Sequence, residues 1–218
     1  MTGEHALRDE ICRVGRSLFD RGYVHATAGN ISARLDDGGF LITPTDACLG
    51  SLDPAALARI DPTGQQSGGA RASKTLALHR CIYASDGDAG CVIHTHSTHL
   101  VALSLIGGAA PGEFLPPITP YFVMKVGRVP LLPYHRPGDP AVAGYVEEAM
   151  RQSQQRGAPI RAVMLARLGP QVWHRTPAAA MAVLEELEET ARLWLLARPT
   201  PLDAPQIEEL RQTFGARW

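Results

Sequence analysis

The chain lacks most of the features that assign a protein to a class at once. No apolar stretch approaches the ~20 residues needed to cross a bilayer, and the opening MTGEHALRDEICRVG is charged, without the apolar centre of a secretory signal. The expectation is a soluble, cytoplasmic protein with no membrane partner. There is no block of one charge either. The 21 basic and 22 acidic residues leave a formal net charge of −1, so no nucleic-acid partner is expected. The four cysteines, Cys12, Cys48, Cys81 and Cys91, have no CxxC or zinc-ribbon spacing and are expected as buried thiols of a reducing compartment. No Ser/Gly linker divides the 218 residues, which predicts one domain over 1–218, with a core over about 7–197 and a tail over 198–218.

What is present is a mixture of helical and strand patterns. Ile11, Val14, Leu18 and Phe19 give residues 6–20 the spacing of an amphipathic helix, ended at Arg21-Gly22. Residues 28–35 and 40–43 read as two strands around Gly38-Gly39, and 73–84 as a helix with Leu76, Ile82 and Tyr83 on its apolar stripe. A strand over 90–93 leads to a helix over 98–105, stopped by Gly107-Gly108. Residues 123–132 are expected to supply one or two short strands, 141–151 a helix, and 161–165 with 171–173 a hairpin turning at Gly169-Pro170. A long helix over 177–197, a proline-rich stretch and a short amphipathic segment over 206–214 complete the chain. The βαβα alternation of a doubly wound fold is absent, so the pattern predicts an α/β chain of the α+β kind, a three-layer αβα sandwich.

One stretch carries a chemical signal. In VIHTHSTH, residues 92–99, an apolar run ends in His94 and His96 at i, i+2, which on a strand point to the same face, within reach of one divalent metal.

Five blocks in order, HATAGNIS at 25–32, LITPTDACLGSLDP at 41–54, ASKTLALH at 72–79, VIHTHSTH at 92–99 and LARLGPQVW at 165–173, make the chain resemble the class II aldolase/adducin family. Within that family, PITPYFVMKVGRVPLLPYHRPGD at 117–139 and LEELEETARLWLLA at 184–197 look most like the branch of 3-oxo-tetronate 4-phosphate decarboxylases. The resemblance implies the head-domain fold of that family, a small-molecule substrate and a homo-oligomer, a tetramer, with sites near subunit interfaces. It implies that Thr27, Gly29 and Asn30 lie in a first anion-binding loop, Thr45 and Asp46 in a second, and Ser73 with Lys74 at a helix start in a third. His94 and His96 correspond to two of three zinc-binding histidines. Zinc would act there as a Lewis acid on the oxygens of an enediolate while an acid/base group moves the proton.

Three departures fall on the chemistry itself. Where the family has its third zinc histidine, in an Asn-His-Gly turn, this chain has Arg167-Leu168-Gly169, and Leu168 cannot ligate a metal. The catalytic glutamate is replaced by Thr75, whose hydroxyl does not titrate near neutrality. Asp46 stands where the phosphate loop has glycine, bringing a carboxylate and a Cβ to a place a phosphate would approach, unless Lys74 pairs with it.

The remaining candidates follow from these. Asp46 with His94 and His96 would make a two-histidine, one-carboxylate set suited to Fe²⁺ or Mn²⁺. Arg167 can hold a substrate carboxylate. Tyr121, Lys125, Tyr134 and Arg136 could close over a substrate. His99 and His79 read as packing or orienting residues, and His25 and His135 as exposed loop residues. Trp173, Trp194 and Trp218 read as core or interface anchors, and Arg211, Arg217 and Trp218 as residues able to complete a neighbouring subunit's pocket. The expected catalytic set is His94, His96, Asp46 and Arg167. Thr27, Asn30, Thr45, Ser73, Lys74 and Tyr121 are expected to bind substrate. The expected reaction is lyase chemistry on a small oxo-acid or sugar-derived substrate. A metal-independent condensation or cyclisation enzyme and a non-catalytic assembly protein stand as alternatives.

Overall fold

Ile11, Val14 and Leu18 do what their spacing predicts. They bury one face of helix α1, Gly3–Asp20, in a computed structural model that describes residues 3–106 and 113–218. The chain forms two compact units, each assembled from separate segments.

The first unit takes in the described residues up to His96 together with Trp173–Met181. After α1 come β1 (Asn30–Arg34), β2 (Phe40–Ile42), β3 (Ala58–Ile60), β4 (Gln66–Gly68), α2 (Leu76–Ser85) and β5 (Cys91–His94). The five strands lie in the order β4-β3-β2-β1-β5, each antiparallel to its neighbours. Ile31, Ala33, Val92 and Ile93 in β1 and β5 are fully buried. Burial on both faces explains why β5 reads as an apolar run, whereas β1 alternates polar with apolar residues although nearly all of it is buried. Ser32, in the middle of β1, is buried and hydrogen-bonded.

The second unit takes in the described residues of Ser97–Val172 and Ala182–Trp218. It holds α3 (Thr98–Ile106), β6 (Leu131–Leu132), α4 (Ala141–Gln155), β7 (Ala162–Leu165), most of β8 (Gly169–His174), the larger part of α5 (Pro177–Ala197) and α6 (Ala204–Phe214). β7 is antiparallel to β8 and parallel to β6. Glu188 of α5 is buried and accepts the Nδ1–H and backbone N–H of His99 and the backbone N–H of Leu100, so its carboxylate satisfies the open start of α3. His99 is thereby held by Glu188 at the start of α3.

Several expectations are corrected. Residues 123–126 are not strand, because Phe122–Val126 form a π-helical turn started by the Thr119 hydroxyl accepting from Phe122 N–H and stopped at Gly127 with φ of 80°. Phe122, Val123 and Val126 are buried at i, i+1, i+4, a helical spacing that the β-branched valines obscure in the sequence. The hairpin turns at 166–168, and Gly169 and Pro170 already pair with Leu165 and Met164. Cys91 alone among the four free cysteines is buried, and Cys12, Cys48 and Cys81 are half-buried. The expected helix stop at Gly107-Gly108 lies outside the described residues. No helix among the described residues is long and apolar enough to cross a membrane.

Candidate functional site

His94 is the last residue of β5 and is paired across the sheet with Asn30, the first residue of β1. The two therefore meet at one end of a buried strand pair, where the chain leaves the sheet and side chains become available. Gly29, with φ of 88°, brings the preceding loop so close that a Cβ would lie 2.8 Å from the His94 carbonyl oxygen. Only glycine permits that approach. The sequence HATAGNIS thus serves first to lay a loop against His94.

His94 is buried and His96 half-buried, with ring centroids 5.1 Å apart. The i, i+2 spacing brings the two imidazoles together as expected. His25, read from sequence as an exposed loop residue, is exposed, but its ring stands edge-on to His96 at 6.3 Å. Burial, and then the nearness of His25, push the His96 imidazole below its ordinary pKa, so at neutral pH it is a neutral donor and acceptor. The HATAGN block contains the signal for His25, yet only the loop's path shows that it doubles back towards His96.

Beneath this cluster lies a buried polar chain that sequence reasoning missed. His79 of α2 is fully buried, with Nε2 2.6 Å from Asn30 Oδ1 and Nδ1 2.7 Å from Ser32 Oγ, while Ser32 Oγ is 2.8 Å from the Tyr83 hydroxyl. A neutral His79 satisfies every partner: Nε2–H donates to Asn30, and Nδ1 accepts from Ser32, whose oxygen accepts from Tyr83. Burial, reinforced by His94, lowers the His79 pKa to about 3. Asn30 is consequently held with its side-chain oxygen turned to His79. Its expected place in an anion loop rests on its backbone and remaining amide group.

The second and third polar loops are brought together by backbone pairing. Thr45 N–H donates to the Arg71 carbonyl, Ser73 N–H donates to the Thr43 carbonyl, and Pro44 and Ala72 form an isolated antiparallel bridge. Asp46, exposed and at φ of 57°, then lies with Oδ1 3.6 Å from Lys74 Nζ. This left-handed backbone favours glycine, and aspartate tolerates it better than most other residues. Thr75 stands at the N-cap of α2 with its hydroxyl 3.0 Å from Ser73 Oγ. Thr27 is exposed and Thr45 and Ser73 are half-buried.

Arg167 and Tyr121 belong to the second unit. Arg167 is exposed at the tip of the β7–β8 hairpin with φ of 65°, and its backbone N–H donates to Ser104 Oγ of α3. Tyr121 precedes the π-helical turn and is 62% exposed. Leu168 is half-buried in the same hairpin.

The donor set does not fit a resident metal. His94 and His96 offer two imidazoles, and among the described residues no group of three or more His, Cys, Asp or Glu side chains is disposed to hold an ion. The set of Asp46 with His94 and His96 is therefore not formed. Asp46 is an exposed partner of Lys74 instead.

Comparison with known proteins identifies the family and the fold. The family model described as the class II aldolase and adducin N-terminal domain matches residues 9–195. The chain is 54% identical, over the whole of both sequences, to a Cupriavidus necator protein named 3-oxo-tetronate 4-phosphate decarboxylase. Among solved structures it is similar to YgbL of Escherichia coli, with a TM-score of 0.88 at 40% identity, covering 95% of this chain and 99% of that one. It is also similar to an L-fuculose 1-phosphate aldolase, with a TM-score of 0.81 at 22% identity and 96% coverage of each, a likeness that speaks to the fold alone.

Proposed function

Since the chain belongs to the class II aldolase and adducin family and has its α/β fold, we propose that it is a lyase that decarboxylates a 3-oxo acid derived from a four-carbon sugar acid, at a site built on His94 and His96. The observation that carries this reading is the full-length, 54% identity to a 3-oxo-tetronate 4-phosphate decarboxylase, joined to the paired imidazoles at the end of β5.

The chemistry asks little of the protein beyond electrostatics. In a 3-oxo acid the bond between C2 and the carboxyl carbon breaks, CO₂ leaves, and the electron pair passes into the C3 carbonyl. The resulting enolate is then protonated at C2. Hydrogen-bond donors aimed at the C3 oxygen lower the barrier where negative charge develops, and a neutral His96 beside His94 is such a donor. Lys74 can turn from Asp46 to the substrate's anionic end, with Thr45, Ser73, Thr27 and Asn30 supplying shorter polar contacts. Arg167 and Tyr121 are carried as substrate-binding candidates on their chemistry, a guanidinium that pairs with carboxylates and a phenol that donates a hydrogen bond. With Thr75 in place of glutamate, the returning proton comes from a histidine or from water. We assign no step to zinc, because the donor set does not hold it.

The exposed Leu105 and Ile106 of α3 and Leu193 and Leu196 of α5 support a homo-oligomer, which we take to be a tetramer in the cytoplasm. The test is CO₂ release from 3-oxo-tetronate 4-phosphate and from its unphosphorylated counterpart. Release well above that of a His94→Ala/His96→Ala variant supports the reading. Release no greater than that variant's would discard it in favour of a member that keeps the fold without this chemistry.

A further inference from the structure

The second unit contains a cleft of about 690 Å³ that shares no residue with the His94/His96 site. Three arginines from three different segments line it: Arg128 after the π-helical turn, Arg156 at the C-terminal end of α4, and Arg211 in α6. Trp218 and Tyr145 contribute aromatic surface, and Pro130 and Leu132 an apolar wall. Trp218 is only 5% exposed, packs edge-on against Phe122 with centroids 5.5 Å apart, and carries the Arg128 guanidinium over its ring at 5.2 Å.

The charges do not cancel evenly. Arg128 is paired with Glu113. Arg211 is bonded to the Trp218 carbonyl and lies 3.5 Å from Glu208. Glu148, the second acid lining the cleft, is bound through Oε1 and Oε2 to Arg151 and through Oε1 to Gln152. Arg156 has no acidic partner among the described residues. Burial, followed by repulsion from Arg156 and Arg211, lowers the Arg128 pKa. Three guanidinium groups thus line one cleft, two of them near enough to Arg128 to repel it, beside a carboxylate that is already taken. Such an arrangement is relieved by an oxyanion, which guanidinium donors bind with two parallel hydrogen bonds.

We propose that this cleft is a second binding site, which takes a small organic oxyanion, a carboxylate or a phosphate. Its charged end meets Arg156 and Arg211, and its body rests against Trp218 and Tyr145. The aromatic and apolar walls favour a ligand with a carbon skeleton over a bare inorganic ion, and Gln152 offers a neutral amide beside Arg156. The site is independent of whether His94 and His96 decarboxylate anything.

Calorimetric titration of the full chain with inorganic phosphate, malonate and benzoate tests it, with chloride at matched ionic strength as the control. One saturable site per chain is expected, tighter for an organic anion than for inorganic phosphate. Tighter binding of malonate than of benzoate would identify a dicarboxylate, and the reverse an aromatic acid. Arg156→Ala should weaken binding by at least about tenfold and Arg156→Glu abolish it, both with an unchanged unfolding midpoint because that side chain is exposed. His94→Ala/His96→Ala should leave it intact. The proposal is overturned by absence of saturation up to ~20 mM, by binding indifferent to both Arg156 variants, or by binding lost with the two histidines.

Discussion

Lys74 Nζ stands 3.6 Å from Asp46 Oδ1, so the cation of the third polar loop already serves as counter-ion to the second. Both side chains are largely exposed, and the pair contributes little to stability, below about 1 kcal/mol. Its importance is for binding, since an anionic substrate must first displace a carboxylate. Asp46→Gly removes that competitor and restores a residue suited to φ of 57°. Affinity for a phosphorylated ligand should rise about three- to tenfold, with stability changed by less than about 1 kcal/mol. Competition titration beside chemical denaturation checks both. Asp46→Asn, which keeps the backbone preference and drops the charge, should reproduce the affinity gain if charge is its cause.

His79 makes the pH dependence of stability calculable in sign. Burial lowers its folded pKa to about 3 from an ordinary value of 6.5. Between those two pH values the unfolded chain binds a proton that the folded chain refuses. Stability therefore falls as pH drops below about 6.5, by at most about 1.4 kcal/mol per pH unit from this residue, and is unaffected above it. His79→Gln should cost roughly 1–3 kcal/mol at pH 7, because Asn30, Ser32 and Tyr83 lose matched partners. It should also narrow the gap to wild type as the pH falls to 4.5. Urea midpoints of both proteins at several pH values measure this, and a constant gap would remove the histidine from the explanation.

Particular residues show how far the sequence could be read. The run of Val92, Ile93, His94 and His96 gave both a buried strand and the pair of imidazoles at its end, since alternation and apolarity act over a few residues. The five ordered blocks carried the fold and the positions of the polar loops. The buried chain Tyr83–Ser32–His79–Asn30 was not legible, because its members come from a strand and a helix and meet only through packing. β4 had no signal to find, its residues Gln66–Gly68 being exposed and polar. The 166–168 turn was misplaced because Gly169 and Pro170 are strong turn formers in isolation, while pairing with β7 takes both into strand β8.

Arg167 lies at φ of 65°, a conformation that strains a long side chain. Arg167→Asn should stabilise the protein by about 0.5–1 kcal/mol, raising Tm by roughly 1–4 °C, since asparagine enters the left-handed region more readily. If the guanidinium also binds a substrate carboxylate, KM should rise several-fold in the same variant with kcat little altered. A gain in stability together with a rise in KM would mark a strained residue kept for binding. A gain in stability with unchanged KM would assign Arg167 no part in the site.

Zinc content follows from the donor set. Two imidazoles without a third protein ligand bind the ion weakly, so protein purified without added metal should hold well below one zinc per chain by elemental analysis. Stoichiometric, tightly held zinc would mean that a ligand outside the expected positions completes the site.

Thr75→Glu tests whether a carboxylate at the start of α2 would carry the proton. Thr75 is the N-cap of α2 and makes no side-chain capping bond to the helix, so a glutamate there loses little. Its charge would sit at the favourable end of the helix dipole, an interaction of about 0.3–1 kcal/mol. Folding should therefore tolerate the change. A positioned carboxylate contributes on the order of 10²-fold or more to proton transfer, so kcat for decarboxylation or aldol cleavage should rise by at least about tenfold with KM little changed. The companion Thr75→Gln supplies the same length without a titratable group and should give no increase. Equal activity in Glu, Gln and wild type would show that proton return does not limit turnover at this site, and would leave His94 and His96 as donors to the enolate alone.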